Sequence, residues 1–153
     1  MSKKIFSVLI CALVCVFLLT SCQSAAPMQV GSLAELSQTV GFDVVNPMNI
    51  PDGYALAGYY AAGNNLAQIV YVDGENELIF AMTSLQKVEC DLGGFDQTKS
   101  VDVGGVNFDL SLSGGSVHLA VAHAGSYSYA IYSKTGLSED EITRMAGGLK
   151  LQA

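Results

Sequence analysis

The chain has no tryptophan, only three prolines and two histidines, and half as many basic residues as acidic ones. Its seven Lys and Arg stand against 14 Asp and Glu, which makes the formal charge −7. A surface this poor in positive charge is repelled by phosphate backbones, so we expect no nucleic-acid partner. Two histidines also provide few imidazole ligands for a metal site. We therefore predict no metal and no cofactor.

The first residues have the layout of a secretory signal peptide. Lys3 and Lys4 precede an apolar stretch from Ile5 to Leu19 that only Ser7 interrupts. A basic start, an apolar segment and small residues at the end are typical of such a signal. The apolar stretch is shorter than the roughly 20 residues that a transmembrane helix needs. We predict a signal peptide over residues 1–21, with an ordinary cleaved signal or a membrane-spanning helix as the alternatives.

The end of this segment resembles the lipobox of bacterial lipoproteins. Leu19, Thr20 and Ser21 place one branched aliphatic and two small residues before Cys22. The resemblance implies cleavage before Cys22 and a thioether-linked diacylglycerol on its sulfur. Two acyl chains, such as palmitate, are sufficient for stable anchoring. Gln23 is not Asp, so the usual inner-membrane retention signal is absent if the host has two membranes.

Removal of the signal changes the composition of the mature chain. Lys3 and Lys4 leave with it, so five basic residues remain against 14 acidic ones, a formal charge of −9. This charge gives no attraction to anionic lipid heads, and anchoring must come from the acyl group. Cys90 is then the one cysteine besides Cys22, so no intramolecular disulfide can form. Its acidic neighbours disfavour a reactive thiolate, and we interpret Cys90 as a small buried residue.

The mature chain is predicted to have a short lipidated tether, residues 22–31, and a single α+β domain, residues 32–153. Ser32 and Glu35 form a capping box at the start of a helix over residues 33–40, which Gly41 can end. Ser138 and Glu141 form a second capping box. In the helix that follows it, three residues at helical spacing should face the core: Ile142, Met145 and Leu149.

Between the two helices the chain reads as strands separated by glycine-rich turns. Seven segments fit this pattern: 54–61, 66–72, 77–85, 99–103, 106–113, 117–123 and 127–133. Residues 66–72 are apolar on both faces, which predicts a central strand covered on each side. Val117, Leu119 and Val121 should share one face. We predict one curved antiparallel sheet, a meander of about six or seven strands, with the N-terminal and C-terminal helices packed on one side.

Several short motifs are similar to those of the bacterial domain-of-unknown-function family 4367. They run over residues 41–149: Gly41-Phe42, Pro47, Pro51-Asp52-Gly53-Tyr54, Ile69-Val70-Tyr71, Gly125-Ser126-Tyr127-Ser128-Tyr129-Ala130-Ile131 and Gly136-Leu137-Ser138-Glu139-Asp140-Glu141. The resemblance implies an extracytoplasmic domain of lipoproteins and other membrane-anchored proteins. That family has no established catalytic residues, so the resemblance assigns none here.

The residues that could carry chemistry are few. His118 and His123 are five apart in one strand, so we expect them on opposite faces, where they cannot share a metal. The chain contains no Gly-x-Ser-x-Gly nucleophile motif. Tyrosine is enriched, and Tyr127 and Tyr129 share a strand face. They are either a candidate binding face or simply good strand formers.

Together these features favour a non-enzymatic, lipid-anchored binding or sensing domain on the extracytoplasmic face of the cell membrane. Its partners would be the membrane, through the lipid on Cys22, and another envelope protein. In a Gram-negative host the outer membrane is an alternative location. The alternative function is a carrier or binder of a small apolar ligand in the concavity of the sheet. A hydrolase would need His118 or His123 beside both a carboxylate and a nucleophile.

Overall fold

The protein is described by a computed structural model, which covers residues 26–85 and 94–151. These residues form two helices and one open antiparallel sheet of eight strands, which confirms the predicted α+β class. The helices are α1 (Leu33–Val40) and α2 (Glu139–Gly148). The strands are β1 (Met28–Val30), β2 (Ala55–Ala62), β3 (Leu66–Asp73), β4 (Asn76–Thr83), β5 (Gln97–Val103), β6 (Val106–Ser113), β7 (Ser116–Ala124) and β8 (Tyr127–Leu137).

The sheet consists of two four-stranded meanders rather than the single meander expected. Its spatial order is β1-β2-β3-β4-β8-β7-β6-β5, so β4 and β8 pair in the middle and β5 lies at an edge. The position of each strand follows its polarity. The central strands β3 and β4 are buried along most of their length, whereas β5 is half-buried or exposed throughout. Lys99 of β5 forms an ion pair with Glu139 at the start of α2.

The strand that the sequence did not predict is β1. It lies within residues 22–31, which the sequence assigns to a tether, and its three residues pair with Tyr59, Tyr60 and Ala61 of β2. Val30 is buried under the helices, whereas Met28 is exposed. A segment of three residues is too short to show the alternation that predicts a strand. The folded domain therefore begins before residue 32.

Both predicted N-caps start helices, but only Ser138 and Glu141 form a complete capping box, because the Glu35 carboxylate bonds to Gly31 instead of the Ser32 amide. The Ser32 hydroxyl accepts a hydrogen bond from the Glu35 amide at 3.1 Å, and the Glu35 carboxylate accepts one from the Gly31 amide at 2.7 Å. In α2 the Glu141 carboxylate accepts from the Ser138 amide at 2.8 Å. These bonds hold the pKa of Glu141 below its usual value, with a smaller contribution from Arg144. Gly41 ends α1 with a φ of +78°, a conformation that glycine adopts without strain.

The main core lies between the sheet and the two helices, which pack on the same face as predicted. The helices contribute Leu36, Val40, Ile142 and Met145, and Leu149 joins them from the position just after α2. The sheet contributes Ile69, Phe80, Phe108, Leu110, Tyr129 and Ile131. Fully burying an aliphatic or aromatic side chain stabilises a fold by about 1.5–3 kcal/mol. Within the described ranges, neither helix is long and apolar enough to cross a membrane.

A bulge in β7 changes the side of the sheet on which some of its residues lie. The register between β7 and β8 shifts between Val117 and Leu119, as does the register between β6 and β7 beside it. Val117 therefore packs in the main core, whereas Leu119 and Val121 pack on the opposite side of the sheet. The expectation that all three share a face is wrong because the bulge inserts a residue into the alternation.

Candidate functional site

The side of the sheet opposite to the helices, here called the second face, is also apolar. A row of directly paired side chains crosses it from β2 to β7: Tyr60, Gln68, Ala81, Ala130 and Val121. We call this the central row. Among residues 26–85 and 94–151, the helices contact only the other face, and the one aromatic from outside the strands that packs here is Phe95.

Two further rows border the central row. One contains Val70, Ile79, Tyr132 and Leu119, and the other contains Leu66, Thr83, Ser128 and His123. Val70 and Ile79 have no solvent exposure, and Leu66 is 5% exposed. The prediction that residues 66–72 form an inner strand with two apolar faces agrees with this burial, since β3 is third of the eight strands.

Gln68 is the exceptional residue of this surface. It lies in the central row with 0% exposure, and neither its Nε2 nor its Oε1 has a hydrogen-bond partner. An unsatisfied amide inside a protein costs about 1–3 kcal/mol on scales from protein mutations. Most buried polar groups are paired, so an unpaired one points to a missing partner or a function.

The sequence indicates that Gln68 is buried, although hydrophobic periodicity alone does not show it. It is the one polar side chain inside the apolar run from Leu66 to Val72. A polar residue that interrupts a strand apolar on both faces must be buried on one of them. The run predicts a central strand, and burial of that strand deprives the amide of water as a hydrogen-bond partner.

Tyr60 closes the central row on the β2 side. Its ring lies against Gly58, where an added Cβ would come within 3.1 Å of the Tyr60 Cε2 and of the Gln29 Nε2. Burial raises the pKa of the Tyr60 hydroxyl, and the negative charge of Glu77 raises it further. Glu77 is itself 4% exposed.

The row that contains Ser128 ends in a half-open pocket of about 460 Å³ beside the β7–β8 turn. Its lining residues are Ser84, His123, Gly125, Ser126, Tyr127 and Ser128. The Ser128 hydroxyl donates to the Leu85 carbonyl at 2.9 Å and lies 2.7 Å from the His123 Nδ1. A hydroxyl has one hydrogen, so Nδ1 is assigned as a donor to Ser128 and cannot act as its base. Ser128 is also fully buried, and the pair serves to hold Leu85.

His118 does not complete a catalytic or metal site with His123. Its Nδ1 lies 3.1 Å from the Ser133 carbonyl, and its ring packs on Phe95 with centroids 6.4 Å apart. Since Phe95 packs against the second face, the bulge brings both histidines to that side, and the expectation of opposite faces is wrong. No group of three His, Cys, Asp or Glu in the described part of the chain could hold a metal.

The tyrosines proposed as a binding face are part of the main core. Tyr129 has no exposure and packs on Phe80 with ring centroids 6.4 Å apart, whereas Tyr127 is half-buried and packs on Phe42 at 5.4 Å. Tyr129 therefore cannot contact a partner, and the strand-former interpretation accounts for it. Burial likewise raises the pKa of Tyr71 to about 12, with a smaller effect from Tyr59.

The residues predicted for lipidation and processing lie outside the described residues. These are Leu19, Thr20, Ser21 and Cys22. Cys90 also lies outside them, in the segment between β4 and β5. Their predicted roles therefore stay predictions.

Comparison with family models, with curated proteins and with solved structures gave no match. The similarity to domain-of-unknown-function family 4367 thus remains a prediction from short motifs. The candidate site is defined by its own geometry, and its most specific element is the unpartnered amide of Gln68 in the central row.

Proposed function

We propose that the protein is a lipid-anchored, non-enzymatic binding domain of the bacterial cell envelope, and that it binds through the second face. The observation that carries the proposal is the presence of two apolar faces on one sheet whose described helices cover only one. Most of this face is buried, and its partly exposed apolar residues, Val121 and Tyr132, are where a partner would make contact. The lipobox-like residues Leu19–Cys22 support the anchor and the extracytoplasmic location.

The geometry around the histidines supports binding rather than catalysis. His123 donates toward Ser128 instead of withdrawing its proton, and the Ser128 hydroxyl is committed to the Leu85 carbonyl. Those hydrogen bonds fix the end of β4 against the β7–β8 hairpin. We therefore assign His123 and Ser128 a structural role at the edge of the second face.

Two kinds of occupant suit the second face. The first is another envelope protein that packs on its apolar rows. The second is a small apolar ligand, and one observation favours it: the amide of Gln68 stands beside two alanines of the central row, Ala81 and Ala130. The Gln68 amide offers donors and an acceptor that have no partner in the structure.

Anchoring is tested by membrane fractionation of Cys22→Ala. We expect this variant to leave the membrane fraction because it lacks the sulfur that carries the lipid. Cys90→Ala is the matched control, since it removes the other cysteine of the mature chain and should stay in the membrane fraction. Unchanged fractionation of Cys22→Ala would refute lipid anchoring.

Binding is tested with the second face altered and the main core intact. We choose Val121→Asp, because Val121 ends the central row and is only partly buried. A specific partner recovered from native membranes with the wild type should be lost with Val121→Asp and retained with Ala34→Asp, at an exposed position of α1. Repeated recovery without any partner or apolar ligand would count against the proposal.

A further inference from the structure

We propose that the half-open pocket beside the β7–β8 turn is a binding site for a neutral saccharide, with the His123 Nε2 as its principal acceptor. This inference goes beyond the proposed function, because the lining of the pocket includes neither Val121 nor Tyr132 of the second face. The pocket has a volume of about 460 Å³ and, unlike the buried central row, is open to solvent. Small-ligand sites typically have volumes of about 300–1,000 Å³.

The His123 imidazole has one nitrogen that the fold does not use. Its Nδ1 donates to the Ser128 hydroxyl, 2.7 Å away, and that hydroxyl donates to the Leu85 carbonyl. In the neutral ring, a proton on Nδ1 leaves a lone pair on Nε2, which can only accept. His123 is exposed and lines the pocket, so Nε2 is accessible to a donor group of a ligand. Because the bond of Nδ1 fixes the ring, little side-chain entropy is lost on binding.

The remaining polar side chains of the pocket carry hydroxyl groups. Ser84, Ser126 and Tyr127 line it, and their hydroxyls make no hydrogen bond within the described part of the chain. A hydroxyl can donate and accept, so these groups suit a ligand whose own polar groups do both. Sugar hydroxyls have this property, and each can also donate to the His123 Nε2. In a half-open pocket, the outer hydroxyls of a sugar remain hydrogen-bonded to water.

The lining disfavours charged ligands and peptides. With His123 neutral, no described side chain that lines the pocket carries a charge, so a charged ligand would lose hydration without gaining an ion pair. An anion would also be repelled by the predicted mature chain, with its formal charge of −9. A peptide that binds as an added strand needs a free sheet edge, whereas β4, β7 and β8 are paired on both sides. A neutral ligand rich in hydroxyls therefore fits the pocket best.

The test is an NMR titration of the processed form, residues 22–153, with Cys22→Ser to keep it in solution. Every described helix and strand lies within this range. N,N′-diacetylchitobiose and methyl glucoside are the neutral probes, and methyl glucuronide is the anionic counterpart of methyl glucoside. The backbone amide signals of Gly125 and Ser126 report on the pocket.

Two variants each remove one polar group from the pocket, and each has a matched control. His123→Asn keeps an amide nitrogen that can donate to Ser128 but has no counterpart of Nε2. The same exchange at His118, which lies outside the pocket, is its control. Ser126→Ala removes an exposed hydroxyl from the lining, and Ser100→Ala, at an exposed position of edge strand β5, is its control.

We expect at least one neutral probe to shift the Gly125 and Ser126 amide signals saturably. His123→Asn and Ser126→Ala should weaken this binding by about 2- to 10-fold, the effect of one hydrogen bond, and the two controls should leave it unchanged. If His123→Asn destabilises the fold, Ser126→Ala decides the outcome.

Three results would overturn the inference. The first is the absence of saturable shifts at Gly125 and Ser126 with both neutral probes. The second is binding of methyl glucuronide as tight as that of methyl glucoside. The third is equal weakening by the pocket variants and their controls. The proposed function is tested independently, by Val121→Asp.

Discussion

Gln68→Met should make the domain more stable, although it replaces a polar residue in the middle of the sheet. Methionine has nearly the size and flexibility of glutamine, so packing against Ala81 and Ile79 is preserved. The substitution removes a fully buried amide without partners. The desolvation penalty of such a group is about 1–3 kcal/mol, and the free energy of unfolding should rise by that amount.

Urea or thermal unfolding of the processed form, residues 22–153, measures this gain. For a domain of this size, 1 kcal/mol corresponds to a shift in Tm of about 4 °C. The control is Gln29→Met in the same row, at an exposed position on β1, which should change stability by less than about 0.5 kcal/mol. The two variants make the same chemical change and differ in burial.

A fall in stability on Gln68→Met would refute the reasoning, because it would mean that the amide makes hydrogen bonds in solution that the structure does not contain. A gain of the expected size would show that the amide lacks hydrogen-bond partners in solution as well.

Three further variants test the fold around the site. Gly136→Ala should cost more stability than Gly114→Ala in urea unfolding, since both have positive φ but a Cβ only on Gly136 would come within 2.6 Å of a neighbouring side chain; equal losses would argue against that clash. Ser128→Ala should lower the free energy of unfolding by about 0.5–1.5 kcal/mol, because the part-buried hydrogen bonds to the Leu85 carbonyl and to His123 are lost. An effect below about 0.5 kcal/mol would show that the hydrogen bonds of Ser128 contribute little to stability. Glu141→Gln should reduce the pH dependence of stability below pH 5. The pKa of Glu141 is lowered in the fold, so its stabilisation is present above the unfolded value of 4.5 and is lost as the pH falls through the folded pKa. Unfolding curves of the two proteins that differ equally at pH 7 and pH 3 would contradict this.

Most of the fold could be predicted because local signals agreed with burial. The N-caps at Ser32 and Ser138 mark helix starts through hydrogen bonds between residues three apart, which sequence spacing fixes. Residues 106–113 alternate without interruption, and β6 has these bounds. In each case the information lies within a few residues, so no tertiary contact is needed to recognise the element.

The errors arose where a long-range contact decides the outcome. β1 exists because it pairs with β2, more than 25 residues away, and its three residues carry no pattern of their own. The pairing of β4 with β8 joins two meanders, and nothing in the turns between neighbouring strands predicts it. The bulge in β7 reversed the expected sides of Leu119 and His118, because one inserted residue changes every later face assignment.

The candidate site depends on the same kind of contact. Tyr127 and Tyr129 looked like a surface because alternation shows that they share a face, but it cannot show that α1 and α2 cover that face. The apolar run of β3 revealed a strand with two apolar faces, and helices on one face leave the other to be explained. Gln68 lies on that remaining face, fully buried and without a hydrogen-bond partner, and alternation within the run could not show this burial because it depends on what packs above the sheet.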